Sequence, residues 1–261
     1  MVQVDTNFER AAGPPTSLGF DFGTTNSVIA RPAAGGTIWS ARFRDDGLES
    51  DSFRSVLCFW EELRGTRPEI MSAGGPRAVR HFIENTGDCR FLQSLKSFAT
   101  SELFHSARIY GRTYGFADLL EAFTALLFAA ALPPLRDIPN RVVLGRPVRF
   151  AGANPKPNLA LERYANAMAP LGISDLRFVY EPVAASFYFA RRLDASANVL
   201  VADFGGGTMN RLFAFATVLS RVLLCPFLPL TRAMPAPSSI SPTCTTRASA
   251  SHRTTSRRTC G

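Results

Sequence analysis

The sequence predicts an α/β fold, and three observations support this prediction. After residue 115, apolar strands alternate with amphipathic helices in the order helix–strand–helix–strand–helix–strand. Two apolar strands each end in an aspartate followed by a glycine-containing turn, at Asp21 and at Asp203. The chain has 261 residues and is 46% hydrophobic and 19% charged, which is enough apolar material for a packed core.

The predicted elements begin at residue 18. Residues 18–23 alternate as a buried strand, 24–27 form a turn, and 28–30 resume an extended run. Residues 37–112 are rich in turn residues and mix short elements of both kinds. Periodicity, proline and glycine place the other strands at 55–60, 141–145, 176–180 and 198–204, and helices at 78–84, 116–132, 159–171 and 182–192.

Charge is distributed unevenly along the chain. Residues 1–210 carry 22 basic and 21 acidic side chains, whereas residues 211–261 carry seven arginines and no acidic residue. The net charge of +8 therefore belongs to the tail and does not indicate a nucleic-acid-binding face on the folded part. Residues 1–17 are a polar leader that we expect to be disordered. The segment 209–261 has the composition of a disordered basic tail or of a shifted reading frame.

The composition also argues against several kinds of site and location. The five cysteines form no C-x-x-C pair and no cluster with histidine, so we expect neither a zinc site nor a disulfide framework. The N-terminal residues include acidic side chains and lack an apolar stretch, which favours a cytoplasmic protein. Residues 212–230 are apolar, but Arg221 and two prolines within them argue against a membrane span.

Two turns carry residues suited to phosphate chemistry. The first is DFGTTN at 21–26, and the second is DFGGGT at 203–208. Glycine lets backbone N–H groups approach phosphate oxygens closely, and an aspartate at a strand end can hold hydrated Mg²⁺. A single such turn is a common structural feature, whereas two matching turns separated by strands and helices favour a nucleotide site.

These motifs resemble those of a known family. The string GFDFGTTNS at 19–27 resembles the first phosphate motif of the DnaK-type heat-shock chaperones, and DFGGGT at 203–208 resembles their second. The segment EPVAA at 181–185 resembles the connecting segment that precedes the second motif. The strings FLQSLKSF at 91–98 and VLGRPV at 143–148 are most similar to the YegD-like branch of that family.

The resemblance covers residues 18–208 and implies a fold. It implies the first lobe of an actin-like ATPase, which is a ribonuclease H-like α/β fold, with residues 37–112 as an inserted subdomain. We expect an irregular tail after this lobe, at residues 209–261. It further implies ATP or ADP and Mg²⁺ as ligands. Unfolded client proteins are the implied partners of the full-length family, and Pro147 falls where the family has a proline that couples nucleotide state to its partner domain.

The resemblance also implies roles for individual residues. Lys96 would reach the γ-phosphate and the attacking water, where its charge offsets developing negative charge. Glu181 and Asp203 would position the water or the ligands of the metal, and Asp21 and Asp203 would hold Mg²⁺ through water. The implied nucleotide-binding residues, which line the two phosphate turns, are Asp21, Gly23, Thr24, Thr25, Asn26, Gly205, Gly206, Gly207 and Thr208.

The implied catalytic residues also have structural explanations. The chain has 27 arginines and only two lysines, which favours a functional Lys96, whereas the structural alternative is an ordinary exposed lysine at a helix end. Glu181 precedes Pro182 and suits the positive N-terminus of a helix. Asp203 can satisfy the amides of its own turn.

The sequence departs from the family after residue 208. Asn210 stands where the family has an aspartate, and the lost charge lowers the expected affinity for Mg²⁺. Nothing after residue 210 resembles the second lobe of the family, so the predicted strand 198–204 is expected to lack its hairpin partner. A frameshift near residues 208–211 explains both departures.

Three functions remain open from the sequence. The first is a DnaK-type, YegD-like ATPase lobe that binds nucleotide weakly and turns it over slowly or not at all. The second is another actin-like ATPase, such as a sugar kinase or a filament protein, although EPVAA at 181–185 favours the chaperone branch. The third is a remnant lobe without enzymatic activity.

Overall fold

Among the described elements, eight strands precede the first α-helix, and strands and helices are interspersed after it, which confirms the α/β class. The structure is a computed structural model, and it describes residues 17–33, 36–85, 87–150, 154–190, 193, 197–204 and 209–216. The strands in these residues are β1 (Leu18–Phe22), β2 (Asn26–Pro32), β3 (Ile38–Ser40), β4 (Arg42–Asp45), β5 (Leu48–Ser50), β6 (Phe53–Arg54), β7 (Val56–Arg64), β8 (Arg67–Gly74), β9 (Arg90–Gln93), β10 (Ala107–Ile109), β11 (Arg112–Tyr114), β12 (Ala131–Leu132), β13 (Arg141–Arg146), β14 (Asp175–Tyr180), β15 (Ala197–Phe204) and β16 (Met209–Ala216). The helices are α1 (Gly75–Glu84), α2 (Leu95–Phe98), α3 (Phe116–Ala130), α4 (Pro157–Met168) and α5 (Glu181–Ala190).

A mixed sheet with the strand order β14-β13-β1-β2-β3 forms the centre of the fold, and β6 pairs with β2 beside it. The hairpin β1–β2 is antiparallel, whereas β13 is parallel to β1 and β14 is parallel to β13. Phe20 pairs with Leu144, so the next residues, Asp21 and Gly145, lie side by side. Because the three parallel strands end together, Asp21, Gly145 and Glu181 share one end of the sheet, which we call the C-terminal rim.

The core lies between the central sheet and helices α3 and α4. Alternation in β1 turns Leu18, Phe20 and Phe22 inward and leaves Asp21 exposed. The Phe22 ring lies 5.6 Å from that of Phe123 on α3 and 6.2 Å from that of Tyr164 on α4. Each such buried aromatic side chain contributes about 2 kcal/mol through the hydrophobic effect, so this face holds the sheet and both helices together.

The chain between β3 and α3 forms most strands of three small sheets. Strand β7 pairs with both β8 and β9, and α1 packs against β7 and β8. Gly75 begins α1 with φ of +63°, and a Cβ there would overlap the ring of Phe53, so the position requires glycine. The buried thiol of Cys58 on β7 lies within hydrogen-bonding reach of Cys89, and burial together with this neighbour raises its pKa to about 12.

The predicted elements are confirmed in type, with shifts at their ends. The helix predicted at 116–132 ends at Ala130, because residues 131–132 leave it to pair with β4 as β12. The helix predicted at 159–171 begins two residues earlier, at Pro157, and its last turn is a 3-10 helix at Ala169–Leu171. Within the described part of the chain, no helix is both long and apolar enough to cross a membrane.

The prediction that strand 198–204 lacks a hairpin partner is wrong. Strand β15 pairs with β16 over its whole length, from Ala197 opposite Ala216 to Phe204 opposite Met209. Residues 209–216 (MNRLFAFA) contain no proline and are mostly apolar or aromatic, a composition that suits a strand. Strand structure therefore continues past residue 208, where the sequence resemblance ends.

Candidate functional site

The C-terminal rim collects residues from three separate strands. Asp21 comes from β1 and Gly145 from β13, while Glu181 directly follows β14 as the first residue of α5. Gly145 has no side chain, and a Cβ placed there would lie 3.3 Å from Cγ of Glu181 and 3.6 Å from Oδ1 of Asp21. The two carboxylates therefore flank Gly145, at the end of the sheet where open α/β folds bind ligands.

An ion pair joins this rim to α2. Nζ of Lys96 donates a hydrogen bond to Oε1 of Glu181 at 2.5 Å, although the two residues are 85 positions apart. The Lys96 side chain is 11% exposed and that of Glu181 is 12% exposed. Such a charge-assisted contact is strong where water is largely excluded. The structure thus brings together two of the three residues that the resemblance implies as catalytic.

The short helix α2 holds Lys96 in place through its neighbours. Leu95 and Ala99, on either side of Lys96, are fully buried in the core. Ser94 precedes the helix with φ of +57°, a conformation that turns the chain sharply after β9. The hydroxyl of Ser97 donates back to the carbonyl of Ser94 at 2.7 Å. The buried flanks anchor the helix, and Lys96 itself points to the rim.

Arg163 on α4 fixes the chain that follows α2. Its guanidinium donates to four backbone carbonyls, and Nη1 reaches that of Phe98 at 2.6 Å while Nη2 reaches that of Phe104 at 2.7 Å. The other two contacts are to Ala99 at 3.2 Å and Ser101 at 3.0 Å. Sequence reasoning missed this residue, because an arginine on an amphipathic helix gives no local sign that its partners lie about 60 residues away.

The turn between β1 and β2 lies next to Asp21. A Cβ at Gly23 would overlap the carbonyl oxygen of Asn26, so the tight turn requires glycine. Thr24 and Thr25 are half-buried, and the carbonyl of Thr25 accepts a hydrogen bond from the amide of Ser55 at 2.9 Å. Asn26 is exposed, and its Oδ1 accepts from Arg54 at 3.4 Å. The four implied phosphate-binding residues of the first turn are therefore contiguous with the rim.

Tyr164 on α4 and Arg146 at the end of β13 are two further polar residues near the rim. The sequence analysis assigned neither of them a role. Tyr164 on α4 is 1% exposed, and burial, followed by the negative charge of Glu181, raises the pKa of its hydroxyl above the usual range. The positive charge of Arg146 partly opposes that shift. The guanidinium of Arg146 lies 4.8 Å above the ring of Tyr180, the residue before Glu181.

The second phosphate turn can be placed only in part. Asp203 lies near the end of β15, where its backbone pairs with Asn210 of β16. Gly205, Gly206, Gly207 and Thr208 lie outside the described residues. Pro147, the implied coupling proline, is buried directly after β13.

Direct metal ligands do not cluster in the described part of the chain. No group of three or more His, Cys, Asp or Glu side chains occurs there that could hold a metal ion by itself. No protein-family model matches the sequence, so the interpretation of the site rests on its own residues and contacts.

Proposed function

We propose that this chain is the phosphate-binding lobe of an actin-like ATPase of the DnaK type, and that it binds ATP or ADP with Mg²⁺ at the C-terminal rim. The observation that carries the proposal is the contact between Lys96 and Glu181, which are distant in sequence and almost completely buried. The α/β fold and the adjacent glycine turn at Gly23 support it as well.

The burial of this ion pair favours a role in binding rather than in stability. Removing two charges from water costs several kcal/mol per ion, and their attraction offsets this cost only with excellent geometry and further hydrogen bonds. An apolar pair of the same volume would stabilise the fold at least as well. A lysine held at the ligand-binding end of an α/β sheet instead provides a charge for an anionic ligand.

The two side chains have complementary chemistry for phosphoryl transfer to water. The ammonium of Lys96 is a compact charge on a flexible stem, so it can turn from Glu181 toward a phosphate and offset its negative charge. Glu181 then retains a carboxylate that can accept a proton from a water molecule or orient it. Because the resemblance implies the same two residues, the contact and the motif support one interpretation.

The residues at the rim fit a hydrated Mg²⁺ ion. Asp21 is an exposed carboxylate, and no side chain at Gly145 separates it from Glu181. Mg²⁺ in nucleotide sites keeps several waters and takes only one or two protein carboxylates, so a direct cluster of ligands is not needed. Asp21 would hold the ion through water, with Asp203 as the second carboxylate, and the ion would neutralise charge on the phosphates.

The resemblance extends the proposal to location and partners. We place the protein in the cytoplasm, with nucleotide as its direct ligand and unfolded clients as partners of full-length family members. We expect weak binding, because this lobe supplies contacts to phosphate and the resemblance does not extend to residues that would hold adenosine.

Nucleotide binding with a pair of lysine variants tests the proposal. We expect calorimetry to detect binding of ATP and ADP that requires Mg²⁺, and Lys96→Met to weaken it by roughly 10- to 100-fold, the value of a hydrogen bond to a charged group. Lys156→Met is the matched control, since Lys156 lies 3.6 Å from Glu102 in an exposed pair. Absence of Mg²⁺-dependent binding, or equal effects of both variants, would contradict the proposal.

A further inference from the structure

Two buried hydrogen-bond donors below the rim have no acceptor among the described residues. They are the hydroxyl of Tyr164 and Nε of Arg146. Most buried polar side-chain atoms in proteins form at least one hydrogen bond, because leaving them without one is costly. Two such atoms near one carboxylate therefore call for a functional explanation.

Ring contacts place the Tyr164 side chain under the ends of the two strands that carry the site carboxylates. Its ring lies 6.2 Å from Phe22, which follows Asp21, and 6.2 Å from Phe178, three residues before Glu181. A third ring, that of Phe116 on α3, lies 5.9 Å away. Aromatic rings from β1, β14 and α3 thus pack around the Tyr164 ring.

Arg146 is the last residue of β13, where it follows Gly145 and pairs with Tyr180, the residue before Glu181. Its guanidinium stacks over Tyr180 at 4.8 Å and over Phe150 at 5.7 Å. Burial raises the pKa of the Tyr164 hydroxyl most, the negative charge of Glu181 raises it further, and the positive charge of Arg146 lowers it. The raised pKa of Tyr164 keeps its hydroxyl protonated, and a protonated hydroxyl can donate.

We propose that Tyr164 and Arg146 are positioning residues that donate to the Glu181 carboxylate when Lys96 leaves it. A carboxylate accepts up to about four hydrogen bonds, so donors on its inner side can replace the ammonium on its outer side. The part that concerns phosphate rests on the proposed function, since binding of phosphate is what would draw Lys96 away. The exchange would keep Glu181 charged and oriented during that step.

A double-mutant cycle tests the exchange without any nucleotide. Tyr164→Phe removes only the hydroxyl, and Lys96→Met removes the ammonium from Glu181. In the native background we expect Tyr164→Phe to leave the Tm unchanged or slightly raised, because the lost hydroxyl has no acceptor among the described residues. In the Lys96→Met background we expect it to lower the Tm by roughly 3 °C. Arg146→Lys, which removes Nε and keeps the charge, should show the same dependence on background.

Two matched controls isolate the effect. Tyr110→Phe removes a hydroxyl that donates to the carbonyl of Asp88 at 3.0 Å, and it should lower the Tm equally in both backgrounds. In a Lys156→Met background, Tyr164→Phe should behave as it does in the native chain. If Lys96→Met does not fold, Lys96→Gln, a polar side chain of similar length, replaces it.

The outcomes separate this inference from the proposed function. An equal Tm shift for Tyr164→Phe in both backgrounds overturns the exchange, and so does failure of both Lys96 variants to fold. A background-dependent shift supports the exchange, whatever the nucleotide titration shows. If the shift is present and the native chain binds no Mg²⁺-nucleotide, the proposed function fails and the structural role of the two donors stands.

Discussion

Strand β14 has an ion pair at each end, and the two pairs differ in environment rather than in length. At its first residue, Oδ2 of Asp175 accepts from Nε of Arg141 at 2.5 Å, the same distance that joins Glu181 to Lys96 beyond its last residue. The Arg141 and Asp175 side chains are 48% and 35% exposed, whereas those of Lys96 and Glu181 are 11% and 12% exposed. Asp175 also accepts from Arg177, so the exposed pair has a second cation.

The comparison shows that two ion pairs of equal N–O distance can differ in how strongly each charge depends on its partner. At the exposed end, water and salt screen the charges, and Arg177 can replace Arg141 as the partner of Asp175. At the buried end, water reaches both charges poorly, so a change of partner for Lys96 or Glu181 has to be compensated by other groups of the protein or by a ligand. The first arrangement tolerates change because water, salt and a second cation are at hand, while the second requires replacement partners from within the protein or from a ligand.

The largest effect is expected from neutralising the carboxylate of Glu181, and the comparison is with the same change at Asp175 on the other end of β14. Glu181→Gln leaves the ammonium of Lys96 without an opposite charge in a nearly buried place, and we expect it to lower the free energy of unfolding by about 2 kcal/mol. Asp175→Asn is the matched change at the exposed end and should cost much less. Urea unfolding of both variants measures the difference, and equal losses would mean that burial does not distinguish the two pairs.

A smaller effect, on ligand binding rather than on stability, is expected from adding a methyl group at Gly145 on the rim. Gly145→Ala places a methyl group 3.3 Å from Cγ of Glu181, so that side chain must shift away from its present position. We expect Mg²⁺-nucleotide binding to weaken by roughly 10-fold while the free energy of unfolding changes by less than about 1 kcal/mol.

Gly19→Ala is the control for this change. It is also a strand glycine, and its added methyl group would lie 3.5 Å from the carbonyl oxygen of Ala30, an ordinary contact. Nucleotide binding that falls equally in both variants would show that the effect comes from the strands rather than from the rim.

The smallest effect is the pH dependence of the exposed pair. The hydrogen bond from Arg141, and next that from Arg177, holds the pKa of Asp175 below its ordinary value of 3.8. Because the pKa is depressed in the folded state, the contribution to stability is present above 3.8 and is lost as the pH falls through the folded pKa.

The native chain and Asp175→Asn should therefore differ in unfolding free energy at pH 7 and converge in strong acid. High salt at pH 7 should reduce the same difference, since exposed charges are screened. A difference that is independent of both pH and salt would assign the effect to packing instead of charge.

Local sequence patterns were sufficient for the long central strands and for four of the five helices, whereas most of the short strands between residues 37 and 132 were not predicted individually. Alternation of apolar residues predicts β1, β13 and β14, because in a strand successive side chains point to opposite faces. Proline and glycine mark the beginnings and ends of the helices after residue 115. The resemblance ends at residue 208 and does not predict the hairpin partner of β15, whereas regular structure continues to residue 216.

The candidate site could be predicted only where residues belong to a motif. Asp21 and the turn that follows it stand together in the sequence, and Lys96 and Glu181 lie in strings that resemble family segments. Arg163 and Tyr164 belong to no such string, and Arg146 lies within VLGRPV at 143–148 without a role implied by the resemblance. The importance of all three comes from contacts with other elements. The pattern of neighbouring residues does not indicate these contacts.

The sequence by itself determined the alternation of strands and helices, the glycine turn at Gly23 and the identity of the charged residues available to the rim. These follow from interactions between residues close in the chain, which act in any tertiary context. Only the tertiary structure decided that Lys96 meets Glu181. That contact depends on the parallel register of β1, β13 and β14 and on the anchoring of α2 by Arg163, and both arise from packing between distant segments.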